Sequence, residues 1–146
     1  LVWSGAGGHK NDHNRSIPLE LLTNLIDLPV EWHSLQKEYR AEDKKVLKSI
    51  TALKQHQDHL EDFTDTAALI ECMDLVISVD TSVAHLAGAL GKPVWILLPF
   101  VPDYRWMLER EDCPWYPTAK LLRQDETRDW RKVINRVASS LRSMMI

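Results

Sequence analysis

Leu75-Val76-Ile77-Ser78-Val79-Asp80-Thr81-Ser82-Val83-Ala84-His85-Leu86-Ala87-Gly88-Ala89-Leu90-Gly91-Lys92-Pro93-Val94-Trp95-Ile96-Leu97-Leu98 is the stretch that decides the fold class. Leu75 to Val79 is a continuous β-rich apolar run, the pattern of a parallel strand buried on both faces. A polar turn follows at once. Thr81 to Leu90 then reads as a helix, closed by Gly91 at the C′ position and by Pro93 two residues on. Val94 to Leu98 is a second buried strand. Strand, helix and strand in succession form the repeating unit of a parallel sheet covered by helices.

The same alternation extends outward in both directions. Leu1 to Ser4 reads as the tail of a strand running into a glycine-rich turn, and a polar loop covers Gly5 to Ile17. A helix follows with Pro18 at its first position and Leu21, Leu22, Leu25 and Ile26 on its buried face. Glu31 to Leu35 is a short strand. Ala41 to Leu53 carries Val46, Leu47, Ile50 and Leu53 at helical spacing and predicts an amphipathic helix. His56 to Leu60 is read as a short edge strand, and Asp65 as the N-cap of a helix from Thr66 to Met73. Pro99 to Pro117 is proline-rich and aromatic, an ordered loop expected at the mouth of a cleft. Lys120 to Arg123 makes a last strand, and Asp129 to Met145 a closing helix with Trp130, Val133, Ile134, Val137 and Leu141 in one stripe. The fold class is therefore α/β, a Rossmann-like parallel sheet with helices on both faces.

With 146 residues and 45% hydrophobic content the chain has the size of one domain, 1–146. A net charge of −3, from 18 basic and 21 acidic residues, supplies no broad cationic surface, so nucleic acid is not an expected partner. Cys72 and Cys113 are far apart and form no CxxC; Cys72 falls in an apolar helical pattern, where a buried free thiol is common. A cytoplasmic location is the expectation. The longest apolar run falls short of the ~20 residues that span a bilayer, so no transmembrane segment is expected, and no signal peptide opens the chain. An opening strand without a methionine before it suggests a piece of something longer.

In open α/β sheets ligands bind beyond the carboxyl ends of the strands. Asp80, Thr81, Ser82 and His85 stand at such a junction, where the unpaired amides of a helix start favour an anion. Val83, Leu86, Ala87 and Leu90 follow helical spacing and are expected to face the sheet, with Thr81 and His85 opposite and Ala84, Gly88 and Ala89 leaving that outer side flat. The plainer reading is a cap at Asp80 or Thr81 and a solvated His85; capping and binding are compatible. Gly5, Gly7 and Gly8 complete neither GxGxxG nor a P-loop, which leaves a flexible loop carrying Lys10 and Arg15. Lys37 follows the second strand at the same edge. The pairs His9 and His13, and His56 and His59, have no obvious third ligand, so no metal site is expected. Tyr104, Trp106, Trp115 and Tyr116 either stack on a ligand or pin their loop.

Asp74 to Val94 resembles the signature of the heptosyltransferases, glycosyltransferase family nine, and in particular the C-terminal domains that follow tetratricopeptide repeats in many bacterial proteins. Arg15-Ser16-Ile17-Pro18, Ser34-Leu35-Gln36-Lys37 and Asp65-Thr66-Ala67-Ala68 extend the likeness. The resemblance implies the C-terminal half of a GT-B glycosyltransferase. Such a domain binds a nucleotide-sugar donor without metal or other cofactor, while an N-terminal domain, absent from this chain, holds the acceptor and the general base. No catalytic residue is assigned here for that reason, and the isolated chain is expected to bind without turning over. By resemblance Asp80, Thr81, Ser82 and His85 surround the donor's phosphates and sugar, Arg15 meets the diphosphate, and Asp62 and Thr64 lie near base or ribose. The family usually has glycine where this chain has Ser82, which leaves the sugar unassigned. Developing charge on the leaving phosphate would be met by amide dipoles together with Arg15 and Lys37. A nucleotide-sugar epimerase of the same architecture, and a degenerate binding or scaffold module fused to interaction repeats, are the alternatives.

Overall fold

The computed structural model describes residues 1–145. Parallel strands form two small sheets, β1 (Trp32–His33) with β2 (Leu53–Lys54), and β3 (Val76–Val79), β4 (Val94–Leu98) and β5 (Ala119–Arg123) side by side. Residues 1–4 join the two. On one side the Leu1 nitrogen donates to His33 O at 2.8 Å and Leu35 N donates to Leu1 O at 3.1 Å. On the other, Val2 N donates to Ile77 O at 2.9 Å and Val79 N donates to Val2 O at 3.1 Å. Counting this opening segment, the spatial order is third, second, first, fourth, fifth, sixth, the order of doubly wound nucleotide-binding sheets and consistent with a Rossmann-like fold.

Side chains alternate across this sheet. Leu1, Trp3, Ile77, Val79, Trp95, Leu97 and Leu122 pack into one core, under the closing helix α6 (Trp130–Met144), the 3-10 turn Leu19–Leu22 with α2 (Thr23–Ile26), and α3 (Ala41–Leu47). Val2, Val76, Val94, Ile96, Leu98, Ala119 and Leu121 pack into the other, under α4 (Phe63–Glu71) and α5 (Ser82–Ala89). Strands covered on both faces have no polar alternation, which is why β4 reads as an unbroken apolar run and β3 as one broken only by Ser78, buried with its hydroxyl hydrogen-bonded to Val79 O.

The departures from the sequence reading are local. The helix expected over Ala41 to Leu53 stops at Leu47; Leu53 instead enters β2 opposite Trp32, and both are buried in the same core. Strand pairing and burial here override a helical spacing that was genuine in sequence. The edge strand expected at His56 to Leu60 is a 3-10 turn, Gln57–His59, and the strand expected at Glu31 to Leu35 is ladder-paired only over Trp32–His33. Pro18 precedes the 3-10 turn rather than opening a regular helix, and a short helix α1 (Asp12–Arg15) forms inside the loop. α4 starts at Phe63, capped by Asp62, whose carboxylate accepts from Asp65 N at 3.0 Å while Asp65 reaches back to Asp62 N. Asp65 is thus the third residue of the helix and not its cap. Cys72 follows the end of α4 and is exposed, whereas Cys113 is buried; both are free thiols.

The buried stripe of α5 also differs. It is Ala84, Ala87 and Gly88, with Val83 and Leu86 half-buried and Leu90 exposed. The face expected to lie open is roofed by the loop between β4 and β5. Tyr116 lies directly over Gly88, where any Cβ would collide with its Cγ and stand 2.7 Å from its Cδ1.

Candidate functional site

A cavity of about 670 Å³ opens where the strand order reverses, between the ends of the opening segment and β3. Its walls come from the turns that leave the strands at their carboxyl ends: Ser4, Gly5 and Ala6, then Gln36, Lys37 and Glu38, then Glu61, Asp62 and Phe63, and finally Thr81, Ser82 and Val83 at the start of α5. A volume of this order is ordinary for a small-molecule site.

Internal hydrogen bonds hold each wall. The Gln36 amide is buried and stands in for backbone where the ladder ends: Oε1 accepts from Trp3 N at 3.2 Å, and Nε2 donates to Ser4 O at 2.9 Å and Ser4 Oγ at 2.8 Å. Gly5 is fixed at both of its backbone groups. Its N donates to Ser16 Oγ at 3.2 Å and its O accepts from Arg40 Nη2 at 3.2 Å. Asp12 closes the ring, pairing with Arg40 at 2.6 Å and accepting from Ser16 Oγ at 2.7 Å. The glycine loop that sequence alone described as flexible is therefore anchored at its root.

Arg15, at the end of α1, lines the cavity, and its Nη1 donates to the backbone O of Asp80 at 3.0 Å. Its guanidinium lies against Gly5, where a Cβ would come within 2.5 Å of Nη2. Nε of Arg15 is buried without a partner among the described residues. Lys37 Nζ donates to Glu61 O at 3.0 Å. Each of these cations thus rests on a carbonyl oxygen.

Arg15, Lys37, Asp62, Thr81 and Ser82 meet around one cavity, while Thr64 is exposed on α4 outside it and Thr66 takes the lining position. Asp80 and His85 stand beside the cavity and do not line it. Thr81 is the N-cap residue of α5 in extended conformation, its hydroxyl 3.1 Å from Ser78 Oγ and not bonded to the helix amides. His85 is neither core nor freely solvated. Its Nδ1 is 2.8 Å from the Tyr116 hydroxyl, its ring stacks on Trp106 at 4.9 Å, and its Nε2 is 3.7 Å from Asp80 Oδ1. Burial holds the imidazole below its ordinary pKa, against the opposing pull of the Asp80 carboxylate.

Phe63 and Glu61 were not singled out from sequence, and Gly5 and Gln36 were named there only as parts of a glycine loop and of the turn carrying Lys37. Gln36 directly precedes Lys37 on the turn leaving a strand, the one signal that marked it. Among the described residues no group of three His, Cys, Asp or Glu side chains could hold a metal ion, and no helix is long and apolar enough to cross a membrane. Instead His33 Nδ1 meets His56 Nε2 at 2.8 Å, while His33 Nε2 pairs with Glu31 at 2.7 Å.

No solved structure matches the chain significantly. Over 81 residues it is 36% identical to Protein FlbA of Caulobacter vibrioides, a stretch that covers 56% of this chain and only 13% of FlbA. Residues 33–98 match glycosyltransferase family 9 (heptosyltransferase). The matched span contains the walls carrying Gln36 and Lys37, Asp62, and the β3 to α5 turn, and it supports a glycosyltransferase-type function.

Proposed function

We propose that this chain is the donor-binding domain of a glycosyltransferase, taking a nucleotide-diphosphate sugar into the cavity at the sheet's switch point and needing no metal. The observation that carries the reading is the buried, unpartnered Nε of Arg15 in the wall of that cavity. A phosphate oxygen that met the guanidinium, turned slightly to open Nε to the cavity, would satisfy it with a charge-assisted hydrogen bond. The amides at the start of α5 add a positive dipole end beside Thr81 and Ser82. Lys37 supplies a second cation across the cavity. Asp80 fixes Arg15 through its carbonyl, and Asp62 and Glu61 face the nucleoside end as hydrogen-bond acceptors for hydroxyl or amino groups. The acceptor, and the base that activates it, belong to a separate N-terminal domain of GT-B type; a fusion to tetratricopeptide repeats in a bacterial cytoplasm is the setting that the resemblance suggests. Alone, the chain binds and does not transfer.

The test is calorimetric titration of the chain with UDP, ADP, GDP and CDP in chelator, repeated for Arg15→Ala. Binding of one nucleotide, weakened about tenfold or more in the variant, is the expected result. No binding at millimolar nucleotide, by a chain shown to be folded, would leave the scaffold alternative as the better account.

A further inference from the structure

The aromatic loop before β5 has no part in the donor cavity, yet one of its residues reaches His85, which stands beside that cavity. We propose that Tyr116 is a positioning residue: its hydroxyl donates to His85 Nδ1 and so holds the imidazole as the Nε2–H tautomer, with that N–H turned to the Asp80 side chain.

Three observations on the two rings carry this. The Tyr116 oxygen is 2.8 Å from Nδ1, and the other ring nitrogen is 3.7 Å from Asp80 Oδ1. A carboxylate only accepts, whereas a phenol can donate or accept. The arrangement compatible with both partners puts the proton on Nε2, toward the carboxylate charge, and leaves Nδ1 to accept from Tyr116. Second, His85 cannot turn away, because Trp106 stacks on one face and Tyr116 meets the ring edge-on at 5.7 Å. Third, Tyr116 is itself seated on the helix at Gly88, where no other residue leaves room for its ring. The charged groups facing His85 are Asp80 from its own turn, and Asp103 and Arg105 from the loop. The role in donor binding rests on the donor-site reading above and runs through Asp80, which His85 faces and whose carbonyl holds Arg15; the tautomer does not depend on that reading.

Tyr116→Phe keeps the ring over Gly88 and removes only the hydroxyl. The experiment is ¹⁵N–¹H correlation of the histidine rings at pH 8, with titration of the four nucleoside diphosphates. The wild-type chain should show His85 as Nε2–H, and the variant a growing Nδ1–H population at unchanged fold. Nucleotide affinity should fall about three- to tenfold, the effect of one positioning hydrogen bond. In a His85→Ala background the same change should cost nothing further. A wild-type Nδ1–H tautomer, or a tautomer that Tyr116→Phe leaves alone, overturns the clamp. A shifted tautomer with unchanged nucleotide affinity overturns its role in binding. If no nucleotide binds the wild type, the donor-site reading falls, and the tautomer result alone decides the clamp.

Discussion

Gly5→Ala should act almost wholly through Arg15. The added methyl would stand 2.5 Å from Nη2, 2.8 Å from Cζ and 3.1 Å from Nε of the guanidinium. The backbone has little freedom to retreat, because Gly5 N is held by Ser16 and Gly5 O by Arg40. The guanidinium is therefore the part that moves, and its hydrogen bond to Asp80 O breaks. A hydrogen bond from a charged donor contributes about 1.5–3 kcal/mol, and a displaced arginine regains water, so the expected loss of stability is about 1–2 kcal/mol. Nucleotide affinity should drop by about the same factor as in Arg15→Ala. Urea denaturation and calorimetric titration of Gly5→Ala, Arg15→Ala and the double variant form a cycle. If eviction of Arg15 is the mechanism, the double variant resembles Arg15→Ala alone. Losses that add to within about 0.5 kcal/mol would refute it and leave Gly5 as a conformational joint unconnected with the cation.

Gln36→Leu removes the partners of the Trp3 and Ser4 amides in a buried position and should cost about 2–4 kcal/mol in urea denaturation, far more than a surface glutamine would. Gly91 has φ +71° with nothing near its missing Cβ, so Gly91→Ala should cost about 1 kcal/mol through backbone conformation alone, seen as a lower melting temperature with unchanged nucleotide affinity. Because burial lowers the His85 pKa in the folded state, the unfolded chain takes up a proton first as pH falls below 6.5. Stability from this residue is then complete above that value and is lost down to the folded pKa. His56 shifts the same way, so the check is the difference in melting temperature between wild type and His85→Gln across pH 5 to 8, which should vary with pH and would be flat if His85 were solvated.

The parts of the fold legible in sequence were those whose residues are dictated by their own element. β3 and β4 are buried on both faces and are apolar but for Ser78, and α6 has one wet face and so a clean stripe. β2 was not legible, because two paired residues carry no period and Leu53 sits in phase with the helix before it. Asp62 and Asp65 each bond the other's backbone N–H, so either carboxylate alone fits the composition of a cap. The burial of α5 was misjudged in part, for a longer-range reason: Ala87 is buried and Val83 and Leu86 pack against the core as their spacing predicts, but Leu90 is exposed and Ala84 and Gly88, expected on an open side, are buried, Gly88 beneath Tyr116. Likewise the cations of the cavity were named from their neighbours in sequence, while Gln36 and the Asp12, Ser16 and Arg40 ring depend on partners up to 35 residues away.

The way those cations are held bears on what the cavity accepts. Arg105, Arg110 and Lys132 sit in carboxylate pairs, and a ligand would have to compete with the carboxylate for each. Arg15 and Lys37 rest on carbonyl oxygens, which orient a cation and leave its charge uncancelled. The carboxylates of the cavity, Glu38, Glu61 and Asp62, belong to the turns after β1 and before α4, where Lys37 stands among them with its Nζ on Glu61 O, whereas Arg15 and the start of α5 come from other turns. The cavity is thus mixed in charge instead of uniformly positive. A free polyanion is drawn by the two cations and repelled by the carboxylates, while a ligand with an anionic centre and a neutral, hydroxyl-bearing part suits both. Nucleoside diphosphate should accordingly bind more tightly than inorganic pyrophosphate, with a preference that shrinks when Glu61 and Asp62 are changed to the corresponding amides, and pyrophosphate binding should strengthen in that same variant.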